Sequence, residues 1–180
     1  IGFGEALPKI RATIAEHMRK HGLPREKALA TVVSLLEKTM IRVGNDEYAK
    51  SNESYGLTTL RDEHVNVTGS TIRFRFKGKS GKEWNLKLTD RRIANIIRAC
   101  EEIEGQELFK YVDEAGTVHD VTSGDVNRYL KEITGENYTA KDFRTWSGTV
   151  LAAMALQEYE QFDSAAQAKK NVVAAIEHVA

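Results

Sequence analysis

Three short strings in this chain hold a cation where the backbone leaves it little freedom. IRVGNDEYA at residues 41–49 sets Arg42 just past a helical run, FKGKSGK at 76–82 sets Lys79 between glycines, and TAKDFRTWSGTVLA at 139–152 sets Lys141 and Arg144 early in a helix. A guanidinium is always charged and offers paired planar donors that fit two oxygens of a phosphate or carboxylate. An ammonium is a compact point charge that can also give up a proton. Each cation has an ordinary explanation when taken alone. Arg42 at a helix C-terminus could complement the dipole, and Lys79 could be a solvated turn residue. Arg144, between Phe143 and Trp146, should be partly buried and call for an anionic partner, so a structural salt bridge is its plain alternative. Only the three together point further.

Weaker signals surround them. His17 and His21 stand at i, i+4, a spacing that can hold a metal, but no third ligand or HExxH pattern accompanies them, so they read as a solvated helix face. Trp84 and Trp146 fall in the apolar phase of their segments and read as core rather than as platforms for bases.

The elements that must position these residues follow from periodicity. Leu7, Ile10, Ile14 and Met18 recur at helical spacing and the run stops at Gly22, which predicts a helix over 5–21 with a glycine cap. Pro24 opens a second helix with Ala28, Val32, Leu35, Leu36 and Met40 as its apolar stripe, ending near Ile41. After a polar, turn-rich stretch at 51–56 the period changes to two. Ile72, Phe74 and Phe76 alternate with Arg73, Arg75 and Lys77, KGKSGK turns, and Trp84, Leu86 and Leu88 alternate with polar residues, which makes a hairpin. Val65 and Val67 supply a third strand through the Gly69-Ser70 turn. Thr89-Asp90 cap a helix carrying Ile93, Ile96, Ile97 and Cys100; a minor hairpin turns at 114–116; helices follow at 123–133, about 140–158, and 164–178. The fold class is therefore α+β, mostly helical, with helices packed around a small three-stranded antiparallel sheet. It divides into a helical entry region at 1–62, a basic sheet at 63–90 and a helical region at 91–180.

With 180 residues, 41% of them hydrophobic, the chain can bury a core of its own. The single Cys100 excludes an internal disulfide, no Cys/His cluster offers a zinc site, and no apolar run approaches a membrane span. These features suit a soluble protein in a reducing cytoplasm. Net charge is zero, with 26 Lys and Arg against 26 Asp and Glu, yet residues 1–100 hold 19 cations against 11 acids while the remainder holds 7 against 15. Residues 71–92 alone carry eight cations against Glu83 and Asp90, a density that suits a phosphate backbone.

In this order and spacing the three strings resemble the type IB DNA topoisomerases, most closely the compact bacterial and poxvirus-like branch. The resemblance covers essentially the whole chain, and KDFRTW is its most specific part. It implies a catalytic domain of the topoisomerase IB/tyrosine recombinase type that relaxes supercoiled DNA. A tyrosine attacks a phosphodiester, holds the 3′-phosphate covalently, and later reseals the strand without ATP, metal or other cofactor. It implies that Arg42 and Arg144 clamp the scissile phosphate, that Lys79 protonates the departing 5′-oxygen, and that Tyr48 and Lys141 support the phosphate. Arg73, Arg75, Lys77 and Lys82 are then expected to meet duplex DNA, the expected partner of a nucleoid-associated monomer. The charge developing on the non-bridging oxygens, with no metal present, is what guanidinium groups are suited to neutralise.

The family's remaining elements, a His or Asn in an LG(H/N)TP-type segment and then the tyrosine, follow the helix at 164–180. They are expected beyond this chain, and the lobe that closes the clamp is expected ahead of it. Tyr159 comes too early and His178 before the right segment, so neither is given a catalytic role. As it stands the chain is expected not to cleave DNA. Two rivals remain open. A tyrosine recombinase shares the Arg-Lys-Arg logic but usually shows an HxLRH-type box where this chain has KDFRTW. A non-catalytic module could hold duplex DNA on its basic sheet alone.

Overall fold

The computed structural model describes residues 2–179, with side chains through Glu160 apart from that of Tyr48. It divides into two compact units, Ile1–Arg144 and Thr145–Ala180. The first holds every element up to the opening of the last helix.

Helix α1 (Gly2–Met18) buries Phe3, Leu7, Ile10, Ile14 and Met18, the same stripe that its spacing indicates, although it begins and ends about three residues earlier than the sequence suggests. Helix α2 (Arg25–Thr39) is almost enclosed: Ala28 through Leu36 are all buried. Its neighbours α1, α4 (Arg91–Glu101) and α5 (Ser123–Thr134) leave it little wet surface. The short α3 (Asp46–Asn52) lies where the sequence shows no apolar stripe. Its start is fixed by Asn45, whose side-chain oxygen accepts the Glu47 N–H at 2.8 Å.

The sheet runs β1 (Val65–Thr68), β2 (Thr71–Lys77), β3 (Glu83–Thr89) in antiparallel order, with Phe74 opposite Leu86 and Phe76 opposite Trp84. Ile72, Phe74 and Phe76 point into the core, while Arg73, Arg75 and Lys77 point out. This is the alternation of a sheet with one covered face. Asp90 caps α4 by accepting the Ile93 N–H at 2.9 Å. A minor hairpin, β4 (Lys110–Val112) with β5 (Val118–Asp120), turns through Asp113 and Gly116 as expected.

Lys110 is fully buried, which its sequence context does not foretell. Its ammonium donates to the carbonyls of Glu107 and Leu108, so a charged donor satisfies a loop that has no ladder of its own. The last helix also differs. Two helices were expected after residue 140, but α6 runs unbroken over Ala140–Val179. Nothing at 159–163 can stop it, because that stretch contains neither glycine nor proline.

Candidate active site

Arg42 leaves the C-terminus of α2 through a strained step. Met40 closes the helix in the left-handed region, φ 61 and ψ 10, which costs a residue with a Cβ about 1 kcal/mol. Thr39 steadies the step: its hydroxyl donates to the Leu35 carbonyl at 2.6 Å and accepts the Ile41 N–H at 3.2 Å. Beyond it the Arg42 carbonyl accepts the Leu57 N–H at 2.8 Å, and the Val43 carbonyl accepts both the N–H and the hydroxyl of Thr58. This pairing brings Gly44 against Gly56 so closely that a Cβ on Gly56 would lie 2.4 Å from the Gly44 backbone. Only glycine fits there. The Arg42 side chain is exposed.

Arg144 arrives from the opening of α6, where Asn127 accepts the Ala140 N–H at 3.0 Å and Asp142 the Thr139 N–H at 2.8 Å. It is half-buried as expected, but its partner is not a carboxylate. Its guanidinium donates to the Met40 carbonyl, two residues before Arg42. No ion pair to Arg42, Lys79 or Arg144 forms among the described residues. Burial lowers the Arg144 pKa below its ordinary value, and the charge of Arg42 lowers it further. The two guanidiniums are thus near enough to repel each other, with nothing anionic described between them. Lys141 lies one helical turn before Arg144 and is exposed.

Lys79 sits at the hairpin tip in a single turn of 3-10 helix, Lys79–Gly81. The Gly78 N–H donates across the tip to the Lys82 carbonyl at 2.7 Å, and Ser80 and Gly81 both take positive φ, 63 and 74. The Lys79 side chain is exposed. The hairpin is joined to the Arg42 segment by the Tyr55 N–H, which donates to the Lys77 carbonyl at 2.8 Å. Hydrogen bonds therefore link all three cation-bearing segments: the Arg144 side chain to the Met40 carbonyl, and, backbone to backbone, Leu57 to Arg42 and Tyr55 to Lys77.

Arg73, Arg75 and Lys77 lie exposed on the outer face of β2, with Arg73 opposite Lys87. Lys82 is also exposed, but its ammonium lies 4.4 Å over the Trp84 ring rather than free. Tyr48 belongs to α3; its side chain lies outside the described residues. His17 departs from the solvated reading: its Nδ1 is 2.6 Å from the Tyr129 hydroxyl. Among the described residues no group of His, Cys, Asp and Glu could hold a metal ion, and no helix is long and apolar enough to cross a membrane. A groove of 1240 Å³ opens between α1, α2 and α4, but none of the candidate cations lines it. Apart from the half-buried Arg144 they stand on open surface, where a macromolecule rather than a small ligand could reach them.

Sequence reasoning missed Met40, whose carbonyl anchors Arg144, and the Gly44–Gly56 contact. A left-handed methionine leaves no mark in composition or periodicity.

DNA topoisomerase 1B of Acanthamoeba polyphaga mimivirus is 30% identical over 158 residues, covering 86% of this chain and 47% of that protein. DNA topoisomerase 1B of vaccinia virus (strain Copenhagen) is 23% identical over 136 residues, covering 74% and 43%. The chain thus spans about half the length of these relatives. Among solved structures, the pre-cleavage complex of XerH site-specific recombinase bound to difH substrate matches with TM-score 0.48 at 13% identity, covering 78% of this chain and 39% of that one. The family model for the eukaryotic DNA topoisomerase I catalytic core matches residues 2–180, so the chain belongs to that family.

Proposed function

We propose that this chain is the phosphate-activating part of a type IB DNA topoisomerase that relaxes supercoiled duplex DNA. The carrying observation is a pair of neighbouring guanidiniums, one of them half-buried, with no carboxylate partner among the described residues. An unneutralised cationic pair suits a diester that gains negative charge in its transition state. Because Arg144 is anchored to a carbonyl, its remaining donors stay available for non-bridging oxygens, and Arg42 supplies a second set.

In the reaction a tyrosine of the full-length protein releases its hydroxyl proton to solvent as its oxygen attacks phosphorus, the bond to the 5′-oxygen breaks, and a 3′-phosphotyrosyl link forms. The departing alkoxide needs a proton. Lys79, projecting from an exposed tip, supplies it, and takes it back when the 5′-hydroxyl reseals the strand. Lys141, one turn from Arg144, and Tyr48 on α3 support the phosphate. Arg73, Arg75, Lys77 and Lys82 hold the flanking duplex. One chain contributes both guanidiniums and the lysine, which supports action as a monomer.

In the full-length protein, Lys79→Ala should slow cleavage about 10²–10⁴-fold with little change in DNA binding. Replacing the bridging 5′-oxygen by sulfur should restore most of the rate, because a thiol ionises near pKa 8.5 and a thiolate departs without a proton. Arg144→Ala should gain no such rescue. If sulfur leaves the Lys79→Ala defect intact, or rescues both variants equally, Lys79 is not the acid and Lys141 is the next candidate.

A further inference from the structure

Beneath the hairpin tip, aromatic rings form a column that reaches from the Arg42 segment to the last strand of the sheet. The Arg61 guanidinium lies 5.7 Å over the Tyr55 ring, and the Tyr55 and His64 rings are 4.3 Å apart. His64 meets Phe76 edge-on at 6.4 Å, and Phe76 stacks on Trp84 at 5.9 Å with planes 7° apart. The Lys82 ammonium over Trp84 closes the far end. Aromatic pairs in such arrangements add about 0.5–1.5 kcal/mol each beyond the area they bury.

The column touches backbone on both sides of Lys79. The Tyr55 N–H holds the Lys77 carbonyl. The backbone at Gly78 rests on Trp84, since a Cβ there would lie 2.7 Å from the indole Nε1. Lys82 follows the tip and is pinned to the same indole. His64 occupies the middle and joins Tyr55 of the loop to Phe76 of the sheet. Its orientation is fixed, because Nδ1 accepts the Arg61 N–H at 2.9 Å.

A lysine side chain has a long flexible stem, so the protein can aim it only by fixing the backbone from which it projects. The tip's own bonds are few: Gly78 to Lys82, Gly81 to Gly78 at 3.1 Å, and Lys82 to Lys79 at 3.4 Å. The strand ladder and the buried Ile72 and Phe74 hold the sheet, but they end before the tip. We propose that the Arg61–Tyr55–His64–Phe76–Trp84 column aims Lys79 at the leaving oxygen, with His64 as its central positioning residue. This rests on the reading of Lys79 as the proton donor.

A positioning role leaves a signature that a general structural role does not: the defect should vanish when the leaving group no longer needs a proton. Single-turnover cleavage by the full-length protein is measured on duplexes with oxygen or sulfur at the bridging 5′ position. His64→Ala should cleave the oxygen substrate about 10²-fold slower, the cost of roughly 1 Å of misplacement, and the sulfur substrate at close to the unmodified protein's rate. His64→Phe, which keeps a ring in the column, should retain most of the rate. Gly78→Ala should behave as His64→Ala does, because its Cβ pushes the tip off Trp84 without disturbing the core. It decides the matter if circular dichroism shows that His64→Ala does not fold. Equal slowing on both substrates, or no slowing on either, overturns the proposal when Lys79→Ala is itself rescued by sulfur. If Lys79→Ala is not rescued, the assignment of Lys79 falls and the proposal falls with it.

Discussion

Arg144 illustrates what can be read from a residue and what cannot. Its half-burial follows from its place between Phe143 and Trp146, yet the expected carboxylate is replaced by the Met40 carbonyl. A carbonyl satisfies a guanidinium hydrogen bond without neutralising its charge, and only the left-handed turn at Met40 makes it available. His64 is a second residue whose role depends on contacts far along the chain. Its pKa is lowered, mainly by burial; Glu63 pulls it back up in part, and Arg61 adds a smaller downward push. The unfolded chain, titrating near about 6.5, therefore binds the proton more readily than the folded one. His64's contribution to stability is fully present above about pH 6.5 and is lost as pH falls toward the lower folded value. The acceptor role of Nδ1 gives the same sign, since a protonated ring would set N–H against N–H. Glu101 and Glu107, both raised by burial, act in the opposite sense, but they are common to both proteins in a comparison with His64→Phe. That variant should show a flatter melting temperature between about pH 7 and 5.5. Parallel curves for the two proteins would refute this account of His64.

The elements divide by the strength of their periodicity. The three strands, their register and the inward set Ile72, Phe74 and Phe76 are legible because a period of two, bounded by turn residues, admits one pairing with the apolar face covered. Helix α2 is equally plain. Helix α3 is not, because its seven residues show no apolar stripe and depend on the Asn45 turn for their start. The break expected between about 158 and 164 does not occur, because no residue there opposes a helix. The hairpin's outer face carries a test of its own. If Arg73 and Arg75 meet phosphates, reversing both to Glu should weaken duplex binding by the 180-residue chain and reduce the slope of log affinity against log salt by about 2, at roughly 0.9 per lost contact. Filter binding between low and physiological salt measures this. An unchanged slope would remove the sheet from the interface.

At the scale of the molecule, net charge is the least informative quantity and charge distribution the most, because zero overall conceals a basic first half and an acidic second. The residue types of Arg42, Lys79 and Arg144 are legible in the sequence, whereas the hydrogen-bonded path that joins their segments, through Met40, Gly44, Gly56 and Tyr55, could not be inferred from a sequence without folding it. The uncompensated pair of guanidiniums has a consequence for the free protein. Burial and the charge of Arg42 both disfavour the charged form of Arg144, a load on the free chain that a bound oxyanion would relieve. Activity and robustness then oppose each other at a single position. Arg42→Gln should raise the melting temperature of the unliganded chain by about 1–2 °C, as expected for a fraction of a kcal/mol in a domain of this size. It should also lose part of the extra stability that saturating duplex DNA confers on the unaltered protein. A lower melting temperature for Arg42→Gln without DNA would mean that the pair is not under tension. A higher one would mark this corner as a place where the free chain carries a charge that it cannot itself satisfy, left for a bound anion to complete.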